Sequence, residues 1–157
     1  MRLDTKASLA RYTSNAHIVI ANTVQSFNRL RLTGYRLLKL DVRSEICLRI
    51  ELSGIASASG NGHVLEDCAV TFGDIVGAKI RLRKAAHPTV RSIKCSAVDK
   101  SAPASRGKRR TYLFRLAFDI GHIEIRAPAY AYCVTRSLPF TAHDERAFQR
   151  SRRSNGK

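Results

Sequence analysis

The stretch from Thr111 to Cys133, TYLFRLAFDIGHIEIRAPAYAYC, constrains the fold more than any other part of the chain. Apolar and polar residues alternate along two arms on either side of Ile120-Gly121. A period of two is typical of a strand with one buried face, so the stretch predicts an antiparallel β-hairpin. Folding about Ile120-Gly121 keeps every apolar position on one side. The expected cross-strand pairs are Phe118 with Ile123 and Leu116 with Ile125.

The polar face of this hairpin is a candidate binding surface. In the expected register Arg115 lies opposite Arg126, and Ala117 lies opposite Glu124. Like charges repel across two strands, so the arginine pair predicts a neighbouring anion, which either Glu124 or a phosphate can supply. The alternative is an ordinary solvated strand face.

Two tyrosines extend the same alternation beyond Pro128. If the proline leaves the pattern intact, Tyr130 and Tyr132 project beside the arginines. Cations next to exposed aromatic rings suit single-stranded nucleic acid, because bases stack on the rings and cations hold the phosphates. If Pro128 resets the alternation instead, the tyrosines leave this face.

Further segments show the same alternation, at residues 38–42, 46–52, 68–72, 78–82 and, more weakly, 89–98. The glycine-rich run 53–62 predicts a mobile loop. Short strands with short connections favour antiparallel pairing. We therefore expect a mainly β or α+β protein, with an antiparallel sheet of about six short strands in a sandwich or partly open barrel.

One helix is expected near the amino terminus. Ser14 or Asn15 can cap it, and Thr33-Gly34 can end it. A stripe at helical spacing supports it, formed by Ile20, Val24, Phe27 and Arg31. The alternative is a strand at HIVIA, residues 17–21, because consecutive β-branched residues are weak helix formers.

The 157 residues suffice for one compact domain, which we assign to residues 1–143. Residues 100–110, KSAPASRGKRR, have the composition of a flexible basic loop. Residues 144–157 have the composition of a disordered basic tail.

The charge balance favours a polyanionic partner. The chain has 28 Lys and Arg against 12 Asp and Glu, a formal net charge of +16. Such a charge favours nucleic acid over a membrane surface, and we expect RNA rather than DNA. The expected contacts are Lys79, Arg81, Arg83, Arg106, Lys108, Arg109, Arg110, Arg115, Arg126, Tyr130, Tyr132, Arg150, Arg152 and Arg153. An alternative is an accessory subunit of a ribonucleoprotein or viral assembly, with a protein partner.

Sequence motifs favour a binding protein over an enzyme. The phosphate-loop, dinucleotide and GxSxG patterns are absent, so we expect no cofactor. The four cysteines have no zinc spacing, so we expect no metal and interpret them as buried thiols of an intracellular protein, in the cytoplasm or nucleus. Two clusters leave a small nuclease as a further alternative: His122 with Glu124, and His63 with Glu66 and Asp67.

Overall fold

The computed structural model describes residues 17–19, 22–57, 62–85, 87–98 and 110–139. This part of the chain is mainly β, with two open antiparallel sheets and one short helix. The five-stranded sheet has the order β1-β9-β4-β3-β2, and the four-stranded sheet has the order β5-β8-β7-β6. The elements are β1 (His17–Val19), α1 (Thr23–Asn28), β2 (Arg36–Ser44), β3 (Cys47–Ser57), β4 (His63–Gly73), β5 (Gly77–Leu82), β6 (Val90–Ala97), β7 (Tyr112–Phe118), β8 (Gly121–Ala127) and β9 (Ala129–Pro139).

The two sheets share one hydrophobic core, as in a β-sandwich. Phe72 of the five-stranded sheet contacts Phe114 of the four-stranded sheet, with ring centroids 4.9 Å apart. Phe27 of α1 contacts both, and it also packs edge-on against Tyr130 at 5.1 Å. All four rings are buried, so one short helix closes the space between two sheets.

The chain passes between the sheets at a shared corner. β4 continues into β5 through Asp74–Val76, and β8 continues into β9 through Pro128. Because β4 pairs with β9 and β5 pairs with β8, two adjacent strands bend together. The Val76 amide donates to the Arg126 carbonyl at 2.9 Å, and Asp74 adopts a positive φ of 51°. Proline has no amide donor for a sheet ladder, so Pro128 suits the bend.

The amino-terminal helix is shorter than expected. The alternative of a strand is correct for residues 17–19. Ile18 lies in β1, which pairs with β9, and α1 begins only at Thr23. The β-branched residues favour the strand where a partner strand is available. Asn22 precedes the helix without a side-chain capping hydrogen bond, and Ser14 and Asn15 lie outside the described residues.

The prediction of a loop at residues 53–62 is wrong for its first half. Residues 53–57 extend β3, which is 11 residues long and pairs with the equally long β4. The small side chains serve packing, because a Cβ atom at Gly54 would overlap the ring of Tyr35. Glycine in this strand therefore marks a close approach of a side chain rather than a turn.

Bulges disturb the expected faces of β2. Leu38 and Val42 are 54% and 67% exposed, whereas Leu37 and Leu40 pack against the core. The pairing of β2 with β3 shifts register between Leu37 and Lys39 and again between Val42 and Ser44. Such shifts change the face of the sheet on which the neighbouring side chains lie.

The expected strand at residues 46–52 starts one residue late. Ile46 lies in the turn and is exposed, and Cys47 is buried. Leu48, Ile50 and Leu52, the apolar residues of this alternation, are buried on one face, as a strand with a period of two requires.

The remaining strand predictions are confirmed, but two apolar residues of β5 are exposed rather than buried. Cys68, Val70 and Phe72 are buried on one face of β4, as expected. β5 is an edge strand, so Ala78 and Ile80 are exposed rather than buried. Edge strands rich in Lys and Arg resist pairing with other chains.

All four cysteines are free and buried, as expected. The predicted loop 100–110, except Arg110, and the predicted tail 144–157 lie outside the described residues. No helix within the described ranges is long and apolar enough to cross a membrane.

The packing at Gly54 predicts a difference between two glycine substitutions. Gly54→Ala would force a methyl group into the buried Tyr35 ring, and we expect a loss of about 1–3 kcal/mol in the free energy of unfolding. Gly77→Ala is the matched control, because its Cβ atom would lie 3.9 Å from the nearest atom. We expect a gain of about 0.4–1 kcal/mol there. Urea unfolding measures both, and equal effects would contradict the close approach.

Candidate nucleic-acid interface

The β7–β8 hairpin forms with the expected faces but in a different register. Its turn is Asp119-Ile120, so Phe118 pairs with Gly121 and Leu116 pairs with Ile123. The predicted pairs are therefore wrong by two residues. A shift of two keeps every side chain on its face, which is why the apolar side was still predicted correctly.

Contacts with a neighbouring loop stabilise this turn. The Thr89 amide donates to the Asp119 carboxylate at 3.0 Å, and the Asp119 amide donates back to the Thr89 carbonyl at 3.0 Å. Gly121 has a φ of 148° and passes so close to the Arg81 carbonyl that no side chain fits. These contacts explain why the turn lies one residue earlier than the sequence suggested.

The observed register removes the expected arginine repulsion. Arg115 lies opposite Glu124, with the guanidinium Nε 3.6 Å from Oε1, and Arg126 lies opposite Leu113. The expected pairing of Arg115 with Arg126 is therefore wrong, whereas the expectation of an anion beside the arginines is confirmed for Glu124. Glu124 already supplies Arg115 with a counter-charge.

Tyr130 and Tyr132 do not belong to this face. Both lie in β9 of the five-stranded sheet, beyond the reset at Pro128. The buried Tyr130 hydroxyl donates to Ser26 Oγ at 2.9 Å, and the Tyr132 hydroxyl donates to Glu66 Oε1 at 3.0 Å. Their predicted role as stacking residues beside the arginines is wrong.

Strand order brings the basic residues of four strands onto one surface. β5 pairs with β8, so Lys79 lies opposite Glu124 and Arg81 lies opposite His122. β6 pairs with β7, so Lys94 lies opposite Arg115. One row across the four strands therefore reads Lys79, Glu124, Arg115 and Lys94. We call the outer side of the four-stranded sheet the basic face, with charged residues Lys79, Arg81, Lys94, Arg115, Glu124 and Arg126.

The basic face has five permanent cations and one carboxylate, and all five cations are exposed. Glu124 lies 3.6 Å from Arg115 and 3.9 Å from His122 Nε2. Surface ion pairs of this kind stabilise a fold by about 0–1 kcal/mol. Glu124 can balance only one of the five cations, so the face keeps a local excess of positive charge.

Lys94 was missed by the sequence analysis. Its strand was recognised as weak, and the alternation of Ser92, Lys94 and Ser96 with Ile93 and Cys95 was the available signal. Only the pairing with Arg115 shows that this alternation continues the basic face.

The other expected contacts lie elsewhere or outside the described residues. Arg83 is exposed just past β5, where its amide donates to the Ile120 carbonyl at 3.0 Å. Arg110 is exposed just before β7. The residues outside the description are Arg106, Lys108, Arg109, Arg150, Arg152 and Arg153.

The predicted second acidic cluster does not come together. His63 is exposed at the start of β4, Glu66 accepts hydrogen bonds from two tyrosines, and Asp67 pairs with Arg136 at 2.8 Å. Within the described ranges, no three His, Cys, Asp or Glu side chains are grouped to hold a metal ion.

Comparison of the chain with protein-family models, with curated proteins and with solved structures finds no significant match.

The observed register predicts which engineered cysteines form a disulfide. Side chains directly opposite have Cβ atoms about 4.5–5.5 Å apart, whereas diagonal ones are about 7–8 Å apart, beyond disulfide reach. Arg115→Cys with Glu124→Cys should therefore oxidise readily. Arg115→Cys with Arg126→Cys, the pair of the expected register, should stay reduced.

Peptide mass spectrometry after mild oxidation measures both yields. Cys68 and Cys95 give little background, because burial raises the pKa of each to about 12 and keeps them as thiols. A higher yield for the second pair would contradict the register.

Proposed function

We propose that this protein binds nucleic acid through phosphate contacts made by the basic face. The observation that supports the proposal is the excess of five cations over one carboxylate on a single exposed sheet surface. Lys and Arg that neutralise phosphates release counterions, which favours binding without any reading of sequence. The high net charge of the whole chain adds long-range attraction.

The size of the basic face suits several phosphates at once. Neighbouring strands lie about 4.8 Å apart, so the line of Lys79 and the line of Lys94 are separated by three intervals, about 14 Å. Residues two apart on a strand add about 6.8 Å in the other direction. The five cations are therefore spread widely enough to contact several neighbouring phosphates of a nucleic-acid backbone.

The composition of the face favours backbone recognition over base recognition. The basic face has no described Phe, Tyr or Trp, and its one ring is the imidazole of His122, so it offers little platform for base stacking. Phosphate contacts set affinity and orientation but do not specify sequence. RNA in preference to DNA stays a prediction, and we propose that binding takes place in the cytoplasm or nucleus, where free and buried cysteines are usual.

Removing cations from the basic face should weaken binding and flatten its salt dependence. The variant is Arg81→Ala, Lys94→Ala and Arg126→Ala, and the matched control is Lys39→Ala, Arg43→Ala and Arg136→Ala on the five-stranded sheet. Both lower the net charge equally. Fluorescence anisotropy with single-stranded RNA, duplex RNA and duplex DNA gives the affinity at several salt concentrations.

Three lost phosphate contacts should reduce the salt slope by about two for a single strand. The control variant should keep the slope of the unmodified protein. If both variants lose affinity equally, net charge rather than the basic face supports binding.

Truncation separates the folded domain from the tail. A chain ending at His143 lacks the predicted tail, and we expect it to keep salt-dependent binding to the same three nucleic acids. Loss of all binding would make the tail the polyanion contact. The accessory-subunit alternative, with a protein partner for the folded domain, would then be favoured.

A further inference from the structure

A cleft of about 830 Å³ opens between the segment that follows α1 and the inner face of the five-stranded sheet. It lies at the end of β4 opposite the corner, where β3 and β4 extend beyond the packed core. This volume is typical of small-molecule sites. The polar residues that line it include Arg29, Arg31, Tyr35, Glu66 and Tyr132.

Two tyrosines hold the carboxylate of Glu66 in the cleft. The hydroxyls of Tyr35 and Tyr132 donate to Oε1 at 3.1 and 3.0 Å. Burial raises the pKa of each phenol well above its ordinary value, and the nearby Glu66 charge adds to the effect, so both stay donors at neutral pH. Tyr35 is buried beneath Gly54, which leaves the carboxylate little freedom.

The second carboxylate oxygen remains for a ligand. A carboxylate offers about four acceptor positions. Both tyrosine hydrogen bonds end on Oε1, and within the described part of the chain no hydrogen bond reaches Oε2 of Glu66. A ligand that enters this cleft therefore gains most by presenting N–H donors to Oε2.

Charge at the rim selects among such ligands. Arg29 and Arg31 are both exposed and line the opening. They repel a cationic ligand, such as a lysine or arginine side chain of a peptide, and attract a phosphate. A ligand that fits this cleft therefore has N–H donors at one end and a negative charge at the other. A nucleotide has both, in its base and its phosphate.

Among the bases, guanine matches the carboxylate best. Its N1–H and its 2-amino group lie side by side on the Watson–Crick edge, so both can donate to Oε2 of Glu66, which has two acceptor positions. Adenine presents an acceptor at N1 on the same edge. We propose that the cleft binds a guanine nucleotide, with the base edge on Glu66 and the phosphate between Arg29 and Arg31. This proposal uses none of the residues of the basic face.

Isothermal titration of the full chain with four small ligands tests the proposal. We expect GMP to bind about tenfold or more tightly than IMP, which lacks the 2-amino group, because a charge-assisted hydrogen bond is lost. AMP should bind more weakly than both, and guanosine more weakly than GMP. Equal affinities for GMP and AMP, no binding of GMP at millimolar concentration, or a preference for arginine amide over GMP would overturn the proposal.

Variants assign the contacts. Glu66→Gln keeps an acceptor for the tyrosines but presents an amide to the base, so the preference for GMP over IMP should disappear. With Arg29→Ala and Arg31→Ala, GMP should bind no better than guanosine. Lys39→Ala with Arg43→Ala is the charge-matched control and should bind GMP like the unmodified protein. An unchanged GMP preference in Glu66→Gln would overturn the proposal.

Two further measurements keep the test independent. If Glu66→Gln lowers the melting temperature strongly, the ligand comparison on the unmodified protein and the arginine variant still decide the outcome. The triple variant Arg81→Ala, Lys94→Ala and Arg126→Ala should bind GMP normally. Failure of nucleic-acid binding by the basic face would therefore leave the cleft proposal standing, and the reverse also holds.

Discussion

Two paired strands turn the same corner, and the arrangement of both sheets depends on that turn. The hydrogen bond from the Val76 amide to the Arg126 carbonyl joins the two bends, one at Asp74–Val76 and the other at Pro128. Before the corner β8 pairs with β5, and after it β9 pairs with β4. Edge strand β5 is therefore held beside β8, and the cations of these strands share one surface.

The same corner closes the core. Because the strands fold back, Phe72 and Phe114 meet across the two sheets, and Phe27 and Tyr130 complete a cluster of four buried rings. Aromatic pairs in such geometry add about 0.5–1.5 kcal/mol each beyond burial of their surface. With the apolar residues of both sheets used inward, the outer side of the four-stranded sheet is left to charged residues.

Side-chain alternation made the basic face predictable, and long-range pairing limited the prediction. Arg81, Arg115 and Arg126 were assigned to polar faces correctly, because a period of two survives any shift of two residues. The same property hid the register, since Arg115 opposite Arg126 and Arg115 opposite Glu124 satisfy the alternation equally. The sheet to which Tyr130 and Tyr132 belong depended on Pro128, because the sequence allowed either a continued strand or a corner at that residue. Glu66 and the cleft require contacts between distant segments, which no local pattern contains.

Glu124 and Glu66 are carboxylates in a strongly basic chain, and each has a geometric consequence. Glu124 is half-buried beside the exposed Arg115, so their pairing contributes little to stability, but it holds one guanidinium within a row of exposed cations. Glu66 accepts hydrogen bonds from the buried Tyr35 and the half-buried Tyr132. Removing its carboxylate would leave both hydroxyls without this partner, at a cost of about 1–3 kcal/mol each. A basic surface alone attracts any polyanion, whereas a carboxylate held by two donors can discriminate between bases. Under the proposal for the cleft, Glu66 rather than Glu124 is the residue at which selectivity between ligands arises.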